Sequence, residues 1–433
     1  MKILLLSSSP IKREISIGNT FLNLFEDMDE IELASIYTRE GKPDSRVQHS
    51  LCITEKTLLK NLIKGTSVIQ AEEKGNQESS DSTSKSELSH RKHLMSLVKR
   101  SRLTIFFMGQ NLIWRIGRWE TGGFDQFVRE YNPDVIFTVL SDSEFLNRMI
   151  LRASSITKSK LILYAWDNNY SMKMVTFSPL KWMQHIYNRV YMRKVARRAD
   201  IFYVISDVQK DDYEKAFKKP CKVLTKFHNF TEPIILPSNI AKPVQLVFTG
   251  NIGLNRWKSL RMIAEALREI NKEKTQAELR IYSSTEITAK MKKGLDIPGC
   301  SYLMGAVPAN RVSEIQKNAD ILVHVEAFDL KNKLLVRQSF STKIVDYFKM
   351  ARPILAVGPK EVASIAHLVK HDCAITASSK KELIQKLQAV LNDETLLEDY
   401  ARRGYACGLE CHNAETLQNM LREDLSDICR MEG

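Results

Sequence analysis

Long uninterrupted apolar runs are missing from this 433-residue chain. None reaches the roughly 18 residues that a membrane-spanning helix requires, so a soluble or peripheral protein is expected. The opening Met1-Lys-Ile-Leu-Leu-Leu-Ser-Ser-Ser-Pro10 carries an apolar stretch of only four residues and no small-residue cleavage site. It reads as a first buried strand rather than an export signal. Paired cysteines are missing too. The seven stand scattered at Cys52, Cys221, Cys300, Cys373, Cys407, Cys411 and Cys429, without the spacings of a metal site, so a reduced, cytoplasmic protein with no metal is expected. Cys407, Cys411 and His412 come nearest to a cluster, but their spacing merely places the two thiols on one helix face. There is no RNA-binding sheet signature, finger spacing or isolated recognition-helix motif. The net charge of +13 is therefore read as attraction for phosphorylated substrates rather than for specific nucleic acid.

A length of 433 residues exceeds what one core usually serves, and 43% hydrophobic content fills two. In the first half, Ile3 to Leu6 predicts a strand, residues 7 to 18 a loop, Asn19 to Met28 a helix and Ile31 to Tyr37 another strand. Pro133 to Val139, Lys160 to Tyr164 and Ile201 to Ile205 supply short apolar runs suited to central parallel strands. Their polar ends, Asp142, Trp166-Asp167-Asn168-Asn169 and Ser206-Asp207, lie where an open sheet places ligand-facing groups. Asp167 is either a carboxylate near a reacting centre or the first residue of an Asx-turn.

Residues 65 to 90 are polar enough to form a flexible insertion. Arg91 to Arg118 then holds seven Arg or Lys residues and no Asp or Glu, interleaved with apolar and aromatic ones. This stretch, with Lys181-Trp182 through Arg197-Arg198, either lies against anionic lipid or buries its apolar stripe internally.

Leu246-Val-Phe-Thr-Gly-Asn-Ile-Gly-Leu-Asn-Arg-Trp-Lys-Ser-Leu260 combines a strand, a glycine turn, two cations and a helix start. Gly250 and Gly253, flanking Asn251, let the backbone turn and approach a ligand. Arg256 and Lys258 beside the free amides of the following helix suit an anion such as a sugar nucleotide's diphosphate. The alternative is an ordinary turn with solvent-facing cations. Further on, Ser339, Ser341 or Thr342 can cap a helix running to Met350, with Lys343 in its first turn and Asp346 one turn later. A buried strand, Ile354 to Val357, follows Arg352-Pro353.

This order of turn, cation, helix, Ser/Thr/Lys-rich loop, acidic helix and Pro-led strand resembles the C-terminal half of the two-domain GT-B glycosyltransferases, in particular the large retaining group often called family 4. The resemblance implies an α/β protein with two Rossmann-like domains facing across a cleft. Residues 1–235 would form the acceptor-binding domain, 236–243 a linker and 244–410 the nucleotide-sugar-binding domain. Residues 411–433 would form a terminal helix crossing back over the first domain. It places Arg256 where the family usually has a lysine on the donor diphosphate, with Lys258 as the backup. The family's two glutamates, with seven residues between them, fall here on Gln338 and Asp346, a departure at both positions.

On this reading Arg256, Lys343 and Asp167 are the catalytic candidates. Gly250, Asn251, Gly253, Lys258, Ser341, Thr342 and Asp346 hold the donor. Gly18, Asn19, Asp142 and Glu326 face the acceptor. No cofactor is expected beyond the donor, a nucleotide diphosphate sugar. The acceptor is a glycan or lipid-linked glycan of bacterial capsule, exopolysaccharide or lipopolysaccharide assembly, reached from the cytoplasmic face of the membrane. A soluble acceptor, a GT-B sugar-nucleotide epimerase and a noncatalytic binding protein are the alternatives.

Overall fold

The computed structural model describes residues 1–64, 104–230, 234, 236, 240 and 242–430. It contains two parallel sheets. The first comprises β1 (Lys2–Ser7), β2 (Glu32–Tyr37), β3 (Val47–Cys52), β4 (Val135–Val139), β5 (Lys160–Ala165), β6 (Ile201–Val204) and β7 (Lys222–Val223) in the order β3-β2-β1-β4-β5-β6-β7. The second comprises β8 (Val244–Thr249), β9 (Ala277–Tyr282), β10 (Ser301–Gly305), β11 (Ile321–Val325), β12 (Ile354–Val357) and β13 (Ile375–Ala377) in the order β10-β9-β8-β11-β12-β13. Both follow the doubly wound pattern in which the chain reverses direction beside its first strand, leaving a crevice at the strand ends. The predicted α/β class and paired Rossmann-like sheets are what the chain forms.

The described chain divides into two compact units. One is Met1–Ala165 with Thr176–Tyr203 and Asp424–Gly433; the other is Trp166–Val175 with Val204–Glu423. In the first, Ile3, Leu4, Leu5 and Leu6 of β1 are fully buried, as a strand covered by helices on both faces must be. Phe21 and Phe25 meet the Phe137 ring edge-on at 5.5 and 5.4 Å, a favourable aromatic geometry. Within this unit the Tyr203 hydroxyl donates to Asp424 Oδ2 at 2.5 Å. The terminal helix, Ala414–Arg430, buries Leu417, Leu421 and Leu425. In the second unit Leu246, Leu279, Ile281, Ile321, Val323 and Leu355 pack into one core with Leu260, Ile263 and Leu267 from the helix Arg256–Ile270.

Several boundaries differ from expectation. The first helix is Ser16–Leu24, three residues earlier than predicted. The loop folds back so that Gly18 sits on the Lys12 backbone, leaving no room for a Cβ. Gly18 is thus a packing glycine inside the helix rather than an opening through which an acceptor approaches. Asn19 lies in the same helix, its amide donating to the Ile15 carbonyl at 2.8 Å.

Of the basic stretch Arg91 to Arg118, residues 91–103 and the insertion at 65–90 lie outside the described residues. The described part forms the helix Thr104–Ile116. Trp114 is buried, stacks on Phe145 at 4.5 Å and donates to Glu55 at 2.9 Å. Arg115 pairs with Glu144 at 3.0 Å. Here the aromatic and cationic groups are used internally. No helix among the described residues is long and apolar enough to cross a membrane.

Candidate active site

The second sheet reverses direction between β8 and β11, and the candidate donor residues gather at the ends of these two strands. After Thr249 the chain turns at Gly250 with a positive φ of 143°, a conformation that suits glycine. Asn251 folds the loop: its Oδ1 accepts from the Gly253 amide at 2.5 Å and from the Thr285 hydroxyl at 3.3 Å. Leu254 and Asn255 follow in the left-handed region with φ of 52° and 61°, and the helix then starts at Arg256.

That geometry corrects one expectation. The amides of Arg256, Trp257 and Lys258 donate to the carbonyls of Gly253, Ile252 and Asn255 at 3.1, 3.2 and 3.0 Å. They are not free for an anion. The tight left-handed turn consumes them, so a ligand here meets side-chain cations instead.

The two cations at position 256 and 258 separate cleanly. Lys258 is exposed. Arg256 turns inward, and its Nε and Nη2 donate to Glu326 Oε2 and Oε1 at 3.0 and 3.3 Å. This two-point grip fixes the guanidinium plane. Glu326 follows β11 and is 3% exposed, so it is a buried anchor rather than a surface turn residue. Its backbone carbonyl accepts from Ser259 at 2.7 Å. Burial raises its carboxyl above the ordinary value, while the charge and hydrogen bonds of Arg256 and the charge of Lys343 act against that rise. His324, in β11, is held down to about 3 by burial and then by the charges of Lys343 and Arg256, and so is neutral.

Lys343 reaches the same place from the helix Thr342–Lys349. Its Nζ donates to the Thr249 carbonyl at 2.8 Å and lies 5.3 Å above the Phe248 ring centroid. A Cβ at Gly250 would overlap the ammonium. Burial first, then the neighbouring charge of Arg256, pushes Lys343 down to about 8, with Glu326 and Asp346 acting the other way.

Ser341 occupies the cap position of this helix but its side chain makes no capping bond; its amide donates to Ser364 Oγ at 2.9 Å. Ser339 Oγ donates instead to Asp167 Oδ1 at 3.2 Å. None of the three expected hydroxyls caps the helix. The amides of Thr342 and Lys343 make no hydrogen bond among the described residues, and Thr342 is exposed. Open amides at a helix start attract anions, so the anion-facing helix end is this one rather than that at Arg256.

Asp346 does not pair with Lys343. Its Oδ1 takes bonds from Lys226 Nζ and His228 Nε2, each at 2.6 Å. Burial would raise this carboxyl, but His228 and Lys226 together carry it below the ordinary range. These partners come from more than a hundred residues upstream, and no local pattern announces them. Gln338 is buried, donating to Asp212, while its carbonyl accepts from Ser206 at 2.7 Å. Arg337 also pairs with Asp212.

Asp167 belongs to this second unit, where its carbonyl accepts from Gln209 at 3.0 Å. The remaining acceptor-side candidates, Gly18, Asn19 and Asp142, belong to the first unit. There the Asp142 carbonyl accepts from Asn188.

Comparison with known proteins bears on the fold and on the second sheet's domain. Residues 243–393 match the family model described as Glycosyl transferases group 1. No curated protein matches the chain. Among solved structures, HepE of Anabaena in complex with UDP is similar at 14% identity and a TM-score of 0.60, over 99% of this chain and 100% of that one. Sucrose-phosphate synthase of Thermosynechococcus elongatus gives 11% and 0.60 over 99% and 98%. The α,α-trehalose 6-phosphate synthase of Burkholderia multivorans gives 9% and 0.60 over 100% and 97%. At such identities the likeness establishes the fold. A glycosyl transferases group 1 domain set in a GT-B fold makes this protein a glycosyltransferase.

Proposed function

We propose that the enzyme takes its sugar from a nucleotide diphosphate sugar held by the second unit and passes it to a glycan or lipid-linked glycan of bacterial surface polysaccharide assembly. The observation that carries the donor assignment is the convergence of Arg256, Lys343 and the open amides of Thr342 and Lys343 beside Gly250. As the bond between the anomeric carbon and the diphosphate breaks, negative charge grows on the leaving oxygens. Cations already oriented there stabilise that charge without reorganising. Glu326 holds the guanidinium in plane, and Lys343 needs only to exchange the Thr249 carbonyl for a phosphate oxygen. HepE, similar in fold, has been solved with UDP and with UDP-glucose, which favours a uridine donor. An epimerase would need carboxylates free to move protons in the sugar, and both Glu326 oxygens are engaged by Arg256.

The membrane setting rests on the helix Pro179–Arg198 in the first unit. Phe177, Met183, Ile186 and Val190 are exposed at 99, 51, 52 and 48% and, with Trp182, line an open apolar groove. The same helix carries Lys181, Arg193, Lys194, Arg197 and Arg198. Apolar residues at the headgroup boundary flanked by cations suit an anionic leaflet. On this reading the enzyme works in the cytoplasm, peripheral at the inner face of the cell membrane.

Two measurements test these readings separately. Calorimetry with UDP, GDP, ADP and their sugars should show diphosphate-dependent binding; uniformly negligible affinity in a folded protein removes the donor assignment. Flotation with phosphatidylglycerol vesicles, paired with transfer to extracted lipid-linked and soluble acceptors, tests the setting. An enzyme that ignores vesicles and glycosylates only a soluble compound loses the membrane role and keeps its chemistry.

A further inference from the structure

Away from the donor residues, two helices of the second unit bring four metal-ligand side chains together. His367 and His371 stand one turn apart at the C-terminal end of the helix Ala363–Lys370, the latter as its cap residue. Cys407 and Cys411 stand one turn apart on the helix Thr395–Cys411. One donor atom from each lies within 4.8 Å of every other. The Cys407 sulfur is 3.4 Å from His367 Nε2, and the Cys411 sulfur is 3.9 Å from His371 Nε2. The two imidazole centroids are 4.6 Å apart.

Zinc held tetrahedrally, with bonds of about 2.3 Å to sulfur and 2.0–2.1 Å to nitrogen, sets its ligand atoms roughly 3.3–3.8 Å from one another. The four side chains already stand near that arrangement. Two thiolates and two imidazoles are a soft donor set that selects zinc over magnesium or calcium. A disulfide does not account for the pairing, because both thiols are free. His412 flanks the group, its Nε2 3.3 Å from His367 Nε2 and its Nδ1 3.1 Å from the Lys226 carbonyl, and its contact with His367 Nε2 gives way when that nitrogen takes a metal. A cavity of about 360 Å³ lined by His367, His371, Cys411 and His412 gives an ion a way in.

We infer that His367, His371, Cys407 and Cys411 bind one zinc ion in a closed structural site that ties these two helices together. All four positions are filled by protein, which leaves no open coordination for catalysis and makes this a staple. Its position matters for the loop that carries Lys343. The Phe340 ring lies 5.1 Å from that of His367 and stacks on His412 at 5.3 Å. Ser364, on the histidine helix, receives the Ser341 amide. The site rests on no particular choice of donor or acceptor.

The test uses the intact chain incubated with zinc chloride, desalted and analysed for metal. One zinc per chain is expected, retained by Cys429→Ser, an exposed thiol outside the group, and lost in Cys407→Ser/Cys411→Ser. Cobalt chloride in place of zinc should produce a thiolate-to-cobalt charge-transfer band in the wild type and in Cys429→Ser. Zinc should raise the unfolding midpoint of both. A folded wild-type chain that holds no zinc, or shows no thiolate band with cobalt, overturns the proposal whether or not the double variant folds. Equal zinc in the folded double variant overturns it as well.

Discussion

The Lys343 ammonium donates to the Thr249 carbonyl at 2.8 Å by passing through the space a side chain at position 250 would fill. A lysine on one βα turn is thereby threaded over the glycine of another, and position 250 has no room for a side chain while Lys343 stays in place.

Gly250→Ala should therefore behave as a Lys343 variant. The methyl group meets both an unfavourable φ of 143° and the ammonium, and the lysine must leave. We expect donor affinity to fall at least about tenfold, equivalent to about 1.4 kcal/mol, with modest loss of stability. Nucleotide titration of the folded variant checks this; unchanged affinity would mean that Lys343 does not meet the donor.

Arg256→Ala should reduce kcat far more than Lys258→Ala. Removing one preorganised transition-state donor costs about 10²–10³-fold in comparable sites, whereas Lys258 is exposed and should be near neutral. Arg256→Lys keeps the charge but loses the two-point grip on Glu326, and is expected to fall between. Kinetics on the three folded proteins decide the order, and a severe Lys258→Ala effect beside a normal Arg256→Ala would reverse the assignment.

The pH response of Lys343 has two opposite signs. Its folded value of about 8 lies below the ordinary lysine value of roughly 10.4. Between these the unfolded chain binds more protons, so the contribution of this group to stability rises with pH across that window. Donor binding goes the other way, weakening as pH passes 8 and the ammonium is lost. A bound diphosphate favours the charged form, so nucleotide binding near pH 8.5 should take up a proton. Calorimetry in two buffers of different ionisation enthalpy would reveal it, and Lys343→Met should abolish the difference.

Asp346 should contribute to stability rather than hold the donor. With its Oδ1 held by Lys226 and His228, Asp346→Asn is expected to cost about 1–3 kcal/mol by leaving those partners underused. Because the carboxyl is held below its ordinary range, that contribution is present above the unfolded carboxylate value and fades as pH falls through the folded one. Denaturation curves of the two proteins should differ at neutral pH and converge at acidic pH. A stable variant with weakened nucleotide binding would restore the donor-holding role.

Much of the fold was legible because buried parallel strands are written as short apolar runs. Ile354–Val357 coincides with its predicted limits. Val47–Cys52, Ser301–Gly305 and Ile375–Ala377 went unmarked, being short or only partly buried. Local patterns pointed to Arg256 and Lys343 as cations near a turn, but not to their orientation. That depends on Glu326, seventy residues from Arg256, and on a left-handed turn at Leu254 and Asn255 whose side chains do not demand it. Of the metal-ligand group only the Cys407–Cys411 half showed, as two thiols on one helix face; His367 and His371 join it through tertiary packing that no local pattern marks.

Because Trp166–Val175 belongs with Val204–Glu423 rather than with the residues around it, the polypeptide is interleaved, and this constrains recombination between relatives. A chimera spliced once, within 231–243, would take Asp167, Ser206 and Asp212 from one parent and Arg337, Gln338 and Ser339 from the other. Those six residues form a single hydrogen-bonded seam within one unit. Transplanting a donor specificity intact calls for junctions near 165, 175, 203 and 423. Among related chains, the residues at 166–169 and 337–339 should be inherited as a set.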